Sequence, residues 1–177
     1  MKVKQNMRWA ILALTGLIFA LDGTLALALP DDQQQPIKIA ADTATRDERA
    51  GITIYEGNVQ LTQGSLKIVA DMLTVTQNGS TANIIVATGN PATLTQQPEA
   101  DQPAVNASAD RIEYTANENR VHLSRSARIE QDGAIVMGQT IDYLIDERRI
   151  RAGSATQQGG ERVEVIIPST TVLPEDS

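Results

Sequence analysis

The fold is decided by one ten-residue stretch, Leu66-Lys67-Ile68-Val69-Ala70-Asp71-Met72-Leu73-Thr74-Val75. Apolar side chains alternate up to Ala70, and after Asp71 they alternate again one position out of phase. A period of two is that of a β-strand. A one-residue phase change would turn the apolar face to solvent unless the backbone forms a bulge. The small residue and the polar residue after it therefore predict a bend inside a strand.

The same pattern occurs four times along the chain, and its polar residues are 29, 39 and 29 positions apart. Other alternating segments lie between the repeats, and breaks such as Gln63-Gly64 and Gly89-Asn90-Pro91 suit tight turns. We therefore expect an all-β fold, a stack of bent antiparallel strands with almost no helix. The four pairs of small and polar residues are Ala41-Asp42, Ala70-Asp71, Ala109-Asp110 and Gly138-Gln139.

Residues 1–28 have the features of a secretory signal peptide. A basic start precedes an apolar run over residues 10–21, and Ala26-Leu27-Ala28 supplies the small-x-small cleavage pattern. We expect cleavage after Ala28, which leaves a soluble exported protein. The alternative is a retained membrane anchor at residues 9–29, although the apolar run is short for a membrane span.

The rest of the chain is the right size for one domain. We place this domain at residues 36–168. The flanking residues 29–35 and 169–177 are polar and are expected to be a disordered linker and a disordered tail.

Charge and composition exclude several functions. Without residues 1–28 the chain keeps 12 basic and 21 acidic residues, a formal net charge of −9, which argues against nucleic acid as a partner. The absence of cysteine and the single histidine, His122, provide neither a disulfide framework nor a metal or nucleophile site, so no cofactor and no enzyme activity is expected. One enzymatic alternative is a polysaccharide-active β-solenoid that uses Asp71 and Asp110. Capping of the strand bends by these short polar side chains is the plainer interpretation.

Four segments of the chain carry a resemblance to a known family. They are Gln35-Pro36-Ile37-Lys38-Ile39, Tyr55-Glu56-Gly57-Asn58-Val59, Gln63-Gly64-Ser65-Leu66-Lys67-Ile68-Val69-Ala70-Asp71 and Gly89-Asn90-Pro91-Ala92-Thr93-Leu94. In their order and spacing these segments resemble the OstA-like (LptA) family of periplasmic lipopolysaccharide transport proteins. The resemblance implies a twisted antiparallel β-jelly roll with an open hydrophobic interior that carries the lipid A acyl chains of lipopolysaccharide from the inner to the outer membrane. It also implies a periplasmic location and two partners, an LptC-like inner-membrane protein and an LptD-like outer-membrane protein.

By position in these motifs, four residues correspond to lipid-contacting positions of the family: Ile37, Ile39, Leu94 and Tyr114. The alternation of the strands also points all four inward. Packing of an ordinary sealed core would use the same side chains, so both interpretations stay open.

The first and last strands of the stack should leave unpaired backbone edges that can recruit another strand. In the family, such strand addition joins the protein to its LptC-like and LptD-like partners and to further copies of itself, head to tail. Protection of the edges by the polar tails, and an anchored LptC-like protein with an uncleaved N-terminus, are the alternatives. The predicted edge residues are Ile37, Lys38, Ile39, Ala40 and Ala41 at one end, and Val163, Glu164, Val165, Ile166 and Ile167 at the other.

Overall fold

The computed structural model describes residues 32–78, 81–99, 102–154 and 162–169, and within these residues it is almost entirely β-strand. The predicted signal peptide and residues 170–177 of the predicted tail lie outside the described residues. Two short 3₁₀ turns occur at Asp32–Gln34 and Ala116–Glu118. The strands are β1 Lys38–Ala40, β2 Thr43–Asp47, β3 Ile52–Gln63, β4 Leu66–Asn78, β5 Thr81–Gln96, β6 Val105–Thr115, β7 Arg120–Gln131, β8 Ala134–Leu144, β9 Arg149–Gly153 and β10 Glu164–Ile166.

The strands form one antiparallel sheet in which each long strand pairs with its neighbours in the chain. β1 and β2 both pair with β3, and β9 and β10 both pair with β8, so each end of the sheet is formed by two short strands placed end to end. The sheet is not closed into a barrel. This confirms the predicted all-β, antiparallel jelly roll of stacked bent strands.

A line of bends crosses the whole sheet at the predicted positions. In β4, β6 and β8 the line passes through the predicted small-polar pairs, and the pairing register shifts there in every long strand pair. In the strands between them the backbone is irregular instead: Gly57-Asn58 in β3 and Arg125-Ser126 in β7 have positive φ, and Asn90-Pro91 in β5 is a cis peptide. The prediction of a tight turn at Gly89-Asn90-Pro91 was therefore wrong, because strand pairing continues on both sides of this segment.

The line of bends divides the sheet into two limbs. The first limb contains β1, β10 and the parts of β3 to β8 that align with them, and the second limb contains β2, β9 and the remaining parts. Alternating apolar side chains from both limbs are buried, so the core lies between the inner faces of the two limbs. We call the line along which the outer ends of the limbs meet, opposite the bends, the slit.

Small side chains occupy the inner side of the bends, where the concave backbone leaves little room. Ala70, Ala92, Ala109 and Ala127 are all buried. The polar partner is outside, and at Asp42 it ties two strands together: its N–H donates to the Gly57 carbonyl at 2.9 Å, and Asn58 Nδ2 donates to its carboxylate at 2.8 Å.

The predicted capping of the bends by aspartate side chains is not seen at these positions, and the Asp42 carboxylate bonds the Asn58 side chain instead of its own local backbone. In the described residues, the side chains of Asp71 and Asp110 make no hydrogen bond. At these two places the bend is made by the irregular backbone of the neighbouring strands, so the carboxylate is not needed.

Residues 32–35 differ from the expected disordered linker. Asp32 accepts hydrogen bonds from the Ser65 backbone N–H at 2.7 Å and from the Ser65 hydroxyl at 2.6 Å. The Gln35 carbonyl accepts from Gln63 Nε2 at 3.2 Å. These bonds attach the segment to the outer end of the first limb.

Replacing Ala109 by leucine should destabilise the protein by about 2 kcal/mol, because the larger side chain has no space inside the bend. Urea unfolding measures this change. Asp110→Asn is the matched control, with an expected change within about 0.5 kcal/mol for a partly exposed side chain without partners. Equal effects of the two substitutions would show that Ala109 does not lie on the concave side.

Candidate functional site

The inner face of the first limb carries one uninterrupted row of apolar side chains, one from each strand. The row starts at Ile39 in β1 and ends at Val165 in β10, and the strand registers place each member directly opposite the next. Two of the predicted lining residues, Ile39 and Leu94, lie in this row. The full row is Ile39, Leu61, Ile68, Leu94, Ala107, Ile129, Val136 and Val165.

The inner face of the second limb carries two further rows, and the one nearer the slit begins with the polar residues Arg46 and Thr53. Tyr114, another predicted lining residue, lies in the row nearer the slit and faces the first limb. Ile37 precedes β1 and packs against the edge of the core, half-buried. The two rows are Ala44, Tyr55, Leu73, Ala87, Ile112, Leu123, Ile141 and Ala152, and Arg46, Thr53, Val75, Ile85, Tyr114, Val121, Tyr143 and Ile150.

Exposure of the inner rows rises from the middle of the stack toward its ends. Leu94 and Tyr114 are fully buried, whereas Ile39 and Val136 are half-buried. Val165, the last member of the first-limb row, is 55% exposed. The interior is therefore packed in the middle and accessible at both ends.

The C-terminal end presents the larger apolar surface. Val163 and Ile167 flank Val165 on the same face of the chain and are 39% and 76% exposed. A cleft of about 630 Å³ opens beside Gly138 and Val163. The inner face of the sheet therefore continues here into an uncovered hydrophobic surface.

Both edges of the sheet have a free side in the described part of the chain. β1 and β2 pair only with β3, and β9 and β10 pair only with β8. The ordered edge strands, Lys38–Ala40 and Glu164–Ile166, are shorter than the predicted edge segments by one residue at each end.

Polar side chains hold the slit together. The Tyr114 hydroxyl lies 3.4 Å from Gln63 Oε1 on the opposite limb and 3.3 Å from Asn119 Oδ1, and can donate its one proton to either. At the surface, Arg148 donates to Glu99 at 3.3 Å and to Gln102 at 3.2 Å. In the part of the chain that the structure describes, the slit is therefore closed by side chains, without a ladder of backbone hydrogen bonds.

These polar inner residues were missed by the sequence reasoning, which expected a purely apolar lining. Gln63, Gln96 and Tyr143 lie at inner-face positions near the slit and are buried. A weak signal existed: β3, β5 and β7 all end in glutamine, at Gln63, Gln96 and Gln131.

Tyr143 has a perturbed titration. Its burial raises the pKa of the phenol above the ordinary value of 10.0, and the nearby Arg148 guanidinium offsets part of this increase. The neutral phenol is therefore favoured in the folded protein.

The alternative catalytic residues lie on different strands and are not adjacent in the sheet. Asp71 is exposed and lies on β4, Asp110 is half-exposed and lies on β6, and β5 separates the two strands. His122 lies on the outer face, with Nδ1 2.9 Å from Asp142 Oδ1. Among the described residues, no group of three or more His, Cys, Asp or Glu side chains could hold a metal ion. No helix within these residues is long and apolar enough to cross a membrane.

Comparisons with known proteins agree on one family. Residues 38–149 match the family described as LptA/(LptD N-terminal domain) LPS transport protein. The lipopolysaccharide export system protein LptH of Pseudomonas aeruginosa is 37% identical over 143 residues, 80% of this chain and 81% of that protein. LptA of Escherichia coli K12 is 32% identical over 171 residues, 96% of this chain and 90% of that protein. The crystal structure of Pseudomonas aeruginosa LptH superimposes with a TM-score of 0.73 at 31% identity, covering 79% of this chain and all of that one.

The raised pKa of Tyr143 predicts that stability falls in alkali. The folded state keeps the phenol proton to a higher pH than the unfolded chain does. The contribution of the neutral phenol to the free energy of unfolding is therefore complete below pH 10, and it is lost as the pH rises from 10 toward the raised pKa. Urea unfolding between pH 8 and about 11 should show this loss in the wild type and a smaller loss in Tyr143→Phe. If the free energy of unfolding depends on pH identically in both proteins, the loss in alkali does not come from Tyr143.

Proposed function

The chain belongs to the family of LptA and LptD N-terminal-domain lipopolysaccharide transport proteins, and we propose that it carries lipopolysaccharide through the periplasm with the lipid A acyl chains held between its two limbs. The observation that supports this most is the unbroken apolar row from Ile39 to Val165. Eight strands spaced about 4.8 Å apart make this row about 34 Å long.

Shielding of the chains is the energetic need that such a row meets. Moving one methylene from oil to water costs about 0.8 kcal/mol, so a chain of about twelve carbons costs about 10 kcal/mol and a multi-chain lipid several times more. An inner face of aliphatic side chains lowers this cost all along the path. The chain needs no catalytic group for this work.

Lipid must separate the limbs to reach the middle of the row, because Leu94 and Tyr114 are fully buried there. The contacts that close the slit are weak enough to allow this. A side-chain hydrogen bond contributes about 1 kcal/mol and an exposed ion pair less. Acyl chains that enter would replace the apolar contacts between the limbs, so the interior stays covered.

Linking the limbs across the slit should therefore block binding. Glu99 and Arg148 are exposed and form an ion pair across the slit at 3.3 Å, and the chain has no native cysteine. We expect the Glu99→Cys/Arg148→Cys protein, joined by a reducible bis-thiosulfonate linker, to bind lipopolysaccharide about tenfold more weakly or worse. Reduction of the linker should restore binding. Binding is measured with fluorescently labelled lipopolysaccharide.

The matched control is Glu147→Cys/Arg149→Cys, an exposed ion pair at 2.8 Å within one turn of the second limb. The same linker placed there leaves the slit free, so binding should not change. Full binding by the protein linked across the slit would mean that lipid does not enter between the limbs.

We further propose that the two sheet edges join the protein to an LptC-like partner at the β1 end, to an LptD-like partner at the β10 end, and to copies of itself. The inner row ends at Ile39 on one edge and at Val165 on the other. A strand added at either edge would extend both the backbone ladder and the apolar row. Lipid could then pass from one protein to the next without leaving an apolar surface.

Val165→Asp should weaken joining at the β10 edge, because it places a charge where the apolar row continues into the partner. Glu164→Gln, on the outer face of the same strand, is the control that should leave joining intact. Sedimentation of the purified protein measures self-association, and co-purification with the LptD-like protein measures the outer-membrane contact. If both variants keep self-association and co-purification to the same extent, the edge does not have this role.

A further inference from the structure

Two polar atoms inside the molecule have no hydrogen-bond partner among the described residues: the Tyr143 hydroxyl and Gln96 Oε1. Both residues are buried, with exposed fractions of 0% for Tyr143 and 4% for Gln96. A third buried atom without a hydrogen bond, Arg120 Nε, differs because it lies 3.3 Å from a Glu118 carboxylate oxygen. An unsatisfied buried polar group is costly. The Tyr143 hydroxyl and Gln96 Oε1 face the same interior, so their lack of partners needs an explanation.

Tyr143 and Gln96 occupy positions equivalent to those of Tyr114 and Gln63, which do meet across the slit. The Tyr114 hydroxyl on β6 reaches Gln63 on β3, three strands away on the opposite limb. Tyr143 on β8 is likewise three strands from Gln96 on β5. Tyr114 and Tyr143 both pair with Val121 and share one inner row. Gln63 and Gln96 are the last residues of their strands.

Neighbouring contacts bring Tyr143 and Gln96 to the same part of the slit. Arg148, which acts on the Tyr143 phenol, donates to Glu99 and Gln102, and these residues follow closely after Gln96. Gln96 Nε2 is already used, because it donates to Asp32 at 3.3 Å. The pair therefore offers one donor, the Tyr143 O–H, and one acceptor, Gln96 Oε1.

We propose that Tyr143 and Gln96 form a polar subsite for the amide that links an acyl chain to its sugar. The amide carbonyl accepts from the Tyr143 hydroxyl, and the amide N–H donates to Gln96 Oε1. The acyl chain then lies along the inner apolar rows, and the sugar leaves through the slit to solvent. This inference rests on the proposed function and adds to it the chemical group that is recognised.

Two single-chain probes test the subsite: N-dodecanoylglucosamine, which has the amide, and dodecyl glucoside, whose chain is joined to the sugar by a glycosidic ether oxygen and which we call the ether probe. Their affinities are measured by displacement of a fluorescent fatty-acid analogue. For the wild type we expect the amide probe to bind about 25-fold more tightly than the ether probe, as two net hydrogen bonds of about 1 kcal/mol each would give. Tyr143→Phe leaves only the bond to Gln96, so it should reduce this preference to about fivefold and leave the affinity for the ether probe unchanged.

Folding does not confound this substitution, because the hydroxyl removed from Tyr143 has no partner in the described structure. Tyr143→Phe should therefore be at least as stable as the wild type at pH 8, because it removes an unsatisfied buried group. The comparison variant is Tyr114→Phe, whose hydroxyl contacts Gln63 and Asn119. It should alter the affinities for both probes by the same factor.

The proposal is overturned if Tyr143→Phe lowers both affinities equally, if it changes neither, or if the wild type binds the two probes equally while still binding lipopolysaccharide. The last result would leave the proposed function intact. If the wild type binds neither lipopolysaccharide nor either probe, the proposed function is overturned, and the subsite with it.

Discussion

The structure depends on one line of bends that crosses every long strand from β3 to β8. A strand alternates its faces strictly, so a sheet folded over on itself keeps apolar side chains inside both limbs only if the backbone departs from regular pairing at the fold. In β4, β5, β6 and β8 the inner face shifts by one residue there, and in β3 and β7 two residues with positive φ make the bend without a change of phase. Ala70-Asp71 and Ala109-Asp110 mark this shift, and small side chains fit the concave side of the bends. The inner rows, the slit and the two free edges all follow from this geometry.

The two sides of the interior are held by different forces. At the bends the limbs are one continuous backbone, whereas at the slit they meet through side chains such as Tyr114 and Gln63. If lipid enters as proposed, opening would therefore be confined to the slit, with the line of bends as its hinge. The side chains that pack against each other in the free protein are those that would cover acyl chains, so a stable core and a lipid-binding interior need not be different structures.

Much of this architecture could be predicted from sequence, because period-two alternation identifies the face of each residue. The bends at Ala70-Asp71 and Gly138-Gln139 and the inward direction of Ile39 and Leu94 followed from that pattern. The bulges of the intervening strands could not, because Gly57-Asn58 and Arg125-Ser126 share no residue type. Contacts across the slit were also hidden, since alternation shows that Tyr114 and Gln63 face inward but not which residue of the other limb each one meets. The docking of Asp32 on Ser65 is a similar long-range contact.

The proposed transport requires lipid to lie on the inner rows and not on the outer faces. Photo-crosslinking to labelled lipopolysaccharide distinguishes the two, with the reactive amino acid placed at Ile39 or Leu94 on the inner row and at the adjacent exposed residues Lys38 or Thr93. We expect lipid adducts from the two inner positions and none from the two outer ones. Equal labelling of inner and outer positions, or labelling of the outer ones alone, would contradict the proposed transport.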